Sequence, residues 1–168
     1  MIPSSSVTLG TFTWSNLPKN QGCELRRDGR PVGRLLRPSV WSSDYLAVSG
    51  EKQWTFRRSG FWGNCSDIVE SGSQQAIAAF KCSLAGRGTL TFTDGQKFDF
   101  VCHGLWRPLW SLTSEDGKPV LALHSREEFV EVKPDSGVPE WRLSLLALFT
   151  LYRVRQAEED AASAAIVA

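Results

Sequence analysis

Hydrophobic and polar residues alternate along most of the chain before residue 139. Strict alternation is typical of a half-buried β-strand, whereas an amphipathic helix repeats its apolar positions every three or four residues. In TLTFTDGQKFDFVC, Leu90 and Phe92 share one face, and the apolar residues after the turn alternate in the same way. Asp94-Gly95 between the two runs indicates a tight hairpin, because Asp and Gly tolerate the positive φ of primed turns.

Runs of this kind, bounded by Gly, Pro, Asp or Ser, predict about twelve strands at the spacing of an all-β barrel or sandwich. One run, residues 75–83, is rich in alanine and would also suit a short helix. The predicted strands lie near 8–14, 23–27, 32–37, 44–48, 52–58, 65–70, 75–83, 88–93, 96–102, 108–113, 119–124 and 127–133.

Two of the predicted hairpins share the longer pattern Asp-Gly-x-Pro-Val between flanking leucines. Asp28-Gly29 turns the chain in the first copy, and Asp116-Gly117 turns it in the second. The proline opens the return strand, where a missing N–H does little harm. We expect positive φ at both glycines. The repetition is explained either by internal duplication or by shared turn chemistry.

The pattern changes after Pro139, a residue that suits the first turn of a helix. Ten uncharged residues separate Arg142 from Arg153, and their apolar side chains would cover the whole helix circumference. A surface helix would leave one face polar, and a bilayer-spanning helix needs about 20 apolar residues. We therefore expect this helix to be buried in protein on all sides.

A closed barrel can surround a helix, but about eight strands leave room only for side chains. The helix and the strand count therefore indicate the same fold: mainly β, an approximately twelve-stranded closed barrel that encloses a hydrophobic C-terminal helix. The predicted domain covers residues 1–156 with its central helix at about 139–156, and residues 157–168 are predicted as an exposed tail. The helix residues expected in the core are Leu145, Leu146, Leu148, Phe149 and Tyr152.

Composition narrows the functional classes. A net charge of +1 provides no overall field that would recruit nucleic acid or a membrane, although the charge is unevenly distributed along the chain. Seven Trp and nine Phe are numerous enough to fill a core and to leave some rings for an interface. The four cysteines form no Cys-x-x-Cys pair, and MIPSSSVTLG lacks the basic and apolar regions of a signal peptide. We therefore expect free thiols and a cytoplasmic location.

No catalytic or metal-binding motif is found in the sequence. Cys102 and His103 are adjacent in a predicted strand, so their side chains point to opposite faces and cannot form a dyad or share a metal. His124 has acidic neighbours but no third ligand, and neither Gly-x-Ser-x-Gly nor His-Glu-x-x-His occurs. The sequence predicts no cofactor, no metal and no enzymatic activity.

The predicted architecture resembles the tubby C-terminal-like superfamily, which includes tubby proteins, phospholipid scramblases and LURP-one-related proteins. The resemblance covers roughly residues 8–156 and depends on Asp28-Gly29, on Asp116-Gly117 and on the terminal segment LSLLALFTLYRV. It implies association with membrane lipid, through basic residues on the barrel surface in tubby domains. Scramblases carry a calcium-binding acidic segment beside the helix; Glu158-Glu159-Asp160 lack its alternating spacing, so no calcium site is expected.

The best candidate site is the first Asp-Gly hairpin, RRDGRPVGRLLR, where a turn would gather five arginines. Guanidinium groups recognise phosphate oxygens through two parallel hydrogen bonds. The alternative is a solvated hairpin whose arginines pair with acids elsewhere in the fold. The predicted phosphate- or lipid-binding residues are Arg26, Arg27, Arg30, Arg34 and Arg37.

A second candidate is a membrane-interface segment in which charged and aromatic residues adjoin: Arg57, Arg58, Phe61 and Trp62. Such rings can equally cap the end of a barrel. We therefore expect a non-enzymatic barrel that binds anionic phospholipid or phosphoinositide headgroups, peripherally at the inner membrane surface. The alternatives are a protein-interaction scaffold that uses a Trp-rich rim, and an unassigned enzyme that uses the barrel mouth.

Overall fold

The computed structural model describes residues 11–60, 65–83, 87–104, 108–133 and 136–167. Within these ranges, twelve strands and one α-helix form the fold. The elements are β1 (Phe12–Asn16), β2 (Gly22–Arg27), β3 (Arg30–Leu36), β4 (Tyr45–Ser49), β5 (Lys52–Ser59), β6 (Cys65–Glu70), β7 (Ala76–Ser83), β8 (Arg87–Phe92), β9 (Lys97–His103), β10 (Leu109–Ser114), β11 (Pro119–His124), β12 (Phe129–Val132) and α1 (Glu140–Val167), with a 3-10 turn at Pro18–Asn20 between β1 and β2.

The strands form a closed antiparallel barrel in which each strand pairs with its neighbours in the chain. The barrel closes where β1 meets β12, with Phe12 opposite Val130 and Thr13 opposite Phe129. Closure leaves no edge strand to pair with another chain. The predicted fold class is confirmed, and each predicted strand overlaps an observed one. The alanine-rich run is strand β7, while residues 8–10 of the first predicted strand lie outside the described residues.

Both Asp-Gly-x-Pro-Val segments form the predicted hairpins, but their turns differ. Asp28 and Gly29 both have positive φ, at 50° and 75°, as a two-residue type I′ turn requires. In the second hairpin Gly117 has a φ of 82°, and its N–H donates to the carbonyl of Ser114. That turn is one residue longer, because the N–H of Ser114 bonds to the carbonyl of Lys118.

What the two segments share is a β-bulge at their valine. Leu25 pairs with Gly33 and the next residue of β2 pairs with Pro31, so Val32 has no partner of its own. Val120 is passed over in the same way between Pro119 and Leu121. A bulge increases twist and bends its strand, which helps a sheet to close on itself. The repeated sequence therefore specifies a bend as well as a turn.

The helix is enclosed on every side. All ten residues from Leu143 to Tyr152 are buried, including the two polar ones, Ser144 and Thr150. Thr150 satisfies its hydroxyl by donating to the Leu146 carbonyl one turn earlier, at 2.7 Å. The predicted core residues are fully buried: Leu145, Leu146, Leu148, Phe149 and Tyr152.

The helix differs from the prediction at its C-terminal end. Instead of ending near residue 156, α1 continues to Val167, and residues 157–167 project from the barrel as a largely exposed helix. Alanine and glutamate favour a helical backbone in this segment even without packing against the barrel. The end of α1 was predicted from the last buried residues, and that prediction was therefore wrong.

Small residues line the barrel wall on one side of the helix, and aromatic rings fill the other. On β3, a Cβ added to Gly33 would lie 3.2 Å from Leu148 Cδ1, and Ala47 on β4 is fully buried. Elsewhere in the core, the Phe149 ring lies 5.3 Å from Phe56 and 5.6 Å from Phe80, centroid to centroid. Edge-to-face geometry at both contacts adds favourable quadrupole interactions to the buried area.

Replacing Phe149 with Ala should destabilise the protein strongly, because the ring contacts several strands at once. We expect the free energy of unfolding to fall by about 3–5 kcal/mol in urea denaturation. Ile166→Ala on the same helix is the control: Ile166 is 86% exposed, so a change within about 0.5 kcal/mol is expected. Equal effects of the two substitutions would contradict the enclosed-helix packing.

Gly88→Ala should also destabilise the barrel, because a Cβ at Gly88 would lie 2.2 Å from Phe80 Cζ and 2.9 Å from the Lys81 carbonyl oxygen. Overpacking of this kind costs about 1–3 kcal/mol. Gly72→Ala, which meets nothing within 4 Å, should be nearly neutral in the same thermal melts. Adding Phe80→Leu to Gly88→Ala should recover part of the lost stability; further loss would argue against the ring contact.

Candidate anion-binding rim

The two ends of the barrel are built differently. We call the end where α1 begins the start rim, and the end where α1 leaves the barrel the exit rim. All but one of the connections between consecutive strands, at both rims, have five residues or fewer, such as Asp28-Gly29 at the start rim. The exit rim carries the longest connection between two strands, residues 37–44 between β3 and β4. This asymmetry makes the exit rim the better place to look for a binding site.

The five arginines predicted as one phosphate patch lie at separate places in the structure. Arg26 and Arg34 are on the outer wall, Arg27 is at the start rim and Arg37 is at the exit rim. Arg30, at the hairpin tip, has no ion pair within the described residues. The expectation of one small patch is therefore not met, because β3 carries Arg37 along the barrel to the opposite end.

On the outer wall, Arg26 and Arg34 hold the carboxylate of Glu24 between them. The Nη2 atoms of Arg26 and Arg34 lie 2.7 Å and 3.0 Å from its two oxygens. The guanidinium groups themselves cover Glu24, whose side chain is only 8% exposed. Hydrogen bonds from Arg26 first, and then from Arg34, lower the pKa of Glu24 below its ordinary value of 4.5. These two arginines are engaged in structure and not offered to a ligand.

At the start rim, Arg27 forms an ion pair with Glu140 in the first turn of α1 and lies over the Phe12 ring, 5.5 Å from its centroid. A second cation, Arg142, contacts Asp94 at 2.8 Å and packs over Phe92. These contacts fix the start of the helix to the turns around it.

Two of three consecutive acidic residues on α1, just beyond the barrel, contact side chains of the exit rim. Glu159 lies 3.1 Å from Arg37 Nη1 and accepts a hydrogen bond from Tyr45 Oη at 2.7 Å. Asp160 accepts two hydrogen bonds from Arg58, at 3.0 Å and 2.9 Å, which raise the pKa of Arg58. Burial first, and then the bond to Glu159, raises the pKa of Tyr45.

The third acid, Glu158, lies 3.8 Å from Arg155 on the same helix. Arg155 also donates to the side-chain oxygen of Asn16. A cavity of about 190 Å³ opens between the helix and the rim at this point. Its charged lining consists of Arg37, Arg155, Glu158 and Glu159.

A chain of polar contacts continues from this rim into the barrel. The Tyr152 hydroxyl lies 3.2 Å from the buried Ser66 hydroxyl and accepts a hydrogen bond from Gln156 at 2.6 Å. Gln156 in turn accepts one from Arg153, whose guanidinium packs 4.6 Å from the Phe80 ring centroid. Burial lowers the pKa of Arg153. The network gives hydrogen bonds to the Tyr152 hydroxyl and the Gln156 side chain, whereas the Nε atom of Arg153 is buried with no partner among the described residues.

The longest connection, residues 37–44, places two apolar side chains in solvent. Ser39 closes a turn by accepting from the backbone N–H of Ser42, and its hydroxyl accepts from the N–H of Trp41. Arg37 donates to the Val40 carbonyl at 3.2 Å. Val40 is 71% exposed and Trp41 is 94% exposed at the tip of this fixed loop.

Cations flank the Val40-Trp41 tip. Lys19 and Arg37 line the same cavity as Val40, about 450 Å³ in volume. On the other side, Arg57 is half-exposed and lies 3.9 Å from Asp44 at the end of the loop. Of the predicted membrane-interface residues, Arg57 and Arg58 are thus at the exit rim, while Phe61 and Trp62 lie outside the described residues.

Sequence reasoning missed the Val40-Trp41 tip and the part played by Glu159 and Asp160. The tip could have been recognised, because a large apolar pair in the polar segment RPSVWSSD has no alternating neighbours that would bury it. The acids were assigned to an exposed tail beyond the barrel, and their partners are more than 100 residues away in sequence.

All four cysteines are free thiols, as expected, and burial raises the pKa of Cys23 to about 11. Among the described residues, no three His, Cys, Asp or Glu side chains are grouped so that they could hold a metal ion. In the same part of the chain, no helix combines the length and the apolar character needed to cross a membrane.

Comparisons of the chain with protein-family models, with curated proteins and with solved structures return no match. The functional argument therefore depends on the geometry of the exit rim.

The Glu24 ion pairs should give the protein a measurable pH dependence. Because the pKa of Glu24 is lowered on folding, its contribution to stability is fully present above the ordinary value of 4.5 and is lost as pH falls below it. Urea denaturation between pH 7 and pH 3 should show Glu24→Gln less stable than the wild type at neutral pH, with the difference shrinking in acid. A constant difference across this range would contradict the assignment.

Proposed function

We propose that this protein is a non-enzymatic binding domain that attaches peripherally to anionic phospholipid surfaces through its exit rim. The observation that carries the proposal is the Val40-Trp41 tip: Trp41 is 94% exposed on a hydrogen-bonded loop. Lys19 lines the same cavity as Val40, and Arg57 lies 3.9 Å from Asp44 at the end of the loop.

The exposed ring of the exit rim suits the membrane–water interface, and its cations suit the phosphate groups of the lipids. Trp is favoured at the membrane–water interface, where its ring lies at headgroup depth and its N–H can still be hydrated. Basic residues close to an anionic surface contribute about 1 kcal/mol each. Lys19 and Arg57 lie near the 37–44 loop and would meet phosphate groups when the tip inserts, whereas Arg37 is paired with Glu159. Because the loop is already fixed by Ser39, little ordering entropy is lost on binding.

The remaining surface offers less to an anionic ligand. The outer-wall arginines, Arg26 and Arg34, are neutralised by Glu24. Arginines at both rims are paired with acids, but the ring at the start rim, Trp141, is only 37% exposed, whereas Trp41 at the exit rim is 94% exposed. Membrane attachment through the exit rim is therefore favoured over attachment through the hairpin that the sequence indicated.

The architecture supports the further proposal that the chain is related to the tubby C-terminal-like superfamily. The supporting features are the twelve-stranded closed antiparallel barrel and the C-terminal helix buried within it. In that interpretation the protein acts at the cytoplasmic face of a membrane, where anionic lipids are concentrated.

The test is flotation of the purified protein with vesicles of phosphatidylcholine alone or of phosphatidylcholine mixed with phosphatidylserine. We expect binding to the anionic vesicles only, and weaker binding as salt rises. Trp41→Ala should weaken binding at least about tenfold, because the ring would no longer be buried in the interface.

Trp141→Ala is the matched control, since Trp141 is 37% exposed at the start rim and should not face the membrane. Equal loss of binding in the two Trp variants, or equal binding to neutral and anionic vesicles, would contradict the proposal. Absence of vesicle binding would favour the alternative of a protein-interaction scaffold that uses the same Trp-bearing rim.

A further inference from the structure

The exit rim already contains an occupied anion site, and its occupants belong to the same chain. Arg58 meets the Asp160 carboxylate with two hydrogen bonds, at 3.0 Å and 2.9 Å. Arg37 and the Tyr45 hydroxyl meet the neighbouring Glu159 carboxylate at 3.1 Å and 2.7 Å. Two guanidinium groups and a phenol therefore converge on adjacent oxyanions.

This arrangement is chemically the same as one that recognises phosphate. A guanidinium binds carboxylate and phosphate oxygens with the same two parallel hydrogen bonds, and a phenol can donate a further one. The carboxylates of Glu159 and Asp160 stand where phosphate oxygens would stand in a bound headgroup. Arg37 is the first residue of the 37–44 loop, directly after β3, and Arg58 lies near the end of β5.

The acidic residues are not needed to hold α1 in the barrel. The ten residues from Leu143 to Tyr152 are buried before the helix reaches them, whereas Glu159 and Asp160 lie on the exposed extension. Their side chains are 39% and 55% exposed. Ion pairs at such exposure contribute little net stability, so another anion can exchange with them at low cost.

We propose that Glu159 and Asp160 are internal counter-ions occupying a phosphate-binding site formed by Arg37, Tyr45 and Arg58, and that anionic lipid must displace them. This inference rests on the proposed membrane binding by the exit rim. The helical extension then sets how anionic a surface must be before the protein attaches. Neutral or weakly anionic membranes leave the site closed, while a dense layer of phosphate groups outcompetes two exposed carboxylates.

The double variant Glu159→Gln/Asp160→Asn tests this mechanism on phosphatidylcholine–phosphatidylserine vesicles. Each arginine whose carboxylate neighbour is neutralised should add roughly a fivefold increase in affinity, so the two should give about 25-fold together. The variant should also bind at a lower phosphatidylserine content than the wild type. Thermal melts should show that it remains folded.

The matched control is Glu51→Gln/Glu70→Gln, which removes the same charge from two exposed residues at the start rim. A gain of similar size in this control would show that net charge alone is responsible and would overturn the site. A second control adds Glu159→Gln/Asp160→Asn to Arg37→Gln/Arg58→Gln. When both arginines are replaced, neutralising the two acids should no longer increase the affinity for anionic vesicles. An increase that persists in this quadruple variant would also overturn the proposal.

Inorganic phosphate distinguishes a headgroup site from diffuse attraction. At matched ionic strength, phosphate should inhibit vesicle binding of Glu159→Gln/Asp160→Asn more than chloride does, and equal inhibition would argue against a defined phosphate site. If the wild type binds anionic vesicles but the double variant binds equally or more weakly, the counter-ion mechanism fails while membrane binding stands. If neither protein binds any vesicle, membrane binding itself fails.

Discussion

The need to cover every side of one apolar helix governs this structure. Helix α1 has no polar face over ten residues, so no single sheet or helix layer could bury it, and a closed wall is the arrangement that does. Twelve strands provide the width, and their closure also removes the unpaired edges that would otherwise invite aggregation. The helix in turn fills a lumen that a barrel of this size could not fill with strand side chains alone.

The barrel strands fit around α1 through the sizes of their inward side chains and through local bends. Gly33 and Ala47 let the helix approach β3 and β4, while Phe56 and Phe80 reach across to Phe149 on the other side. Bulges after the prolines of β3 and β11 add curvature, and the carbonyl of bulged Val120 still accepts a bond from Lys133. The start rim is closed by tight polar turns, so variation in connection length, and with it the candidate function, is concentrated at the exit rim.

The fold could be predicted from the sequence because the patterns that indicate it are local, or follow from the number of strands and the length of the apolar helix. The alternation of apolar and polar residues predicted each strand, and the Asp-Gly pairs predicted the turns. The helix is apolar around its whole circumference, so it had to be enclosed by a closed barrel. The site could be predicted much less well, because it depends on long-range register. Arg27 and Arg37 are ten residues apart, yet one strand separates them onto opposite rims, where acids of α1 neutralise each. The spacing of the arginines in the sequence does not indicate which acids they pair with. Trp41 was overlooked for a different reason: it lies outside the alternating strands.

The order of the elements in the chain has a consequence for biosynthesis. Helix α1 follows all twelve strands, so every strand is synthesised before the residues it must pack around. Domains commonly fold as they emerge from the N-terminus, but here the inward faces of β1 to β12 have no lasting partner until α1 arrives. The strands can therefore form only an incomplete barrel with an exposed apolar inner face until α1 has been synthesised and packs inside it.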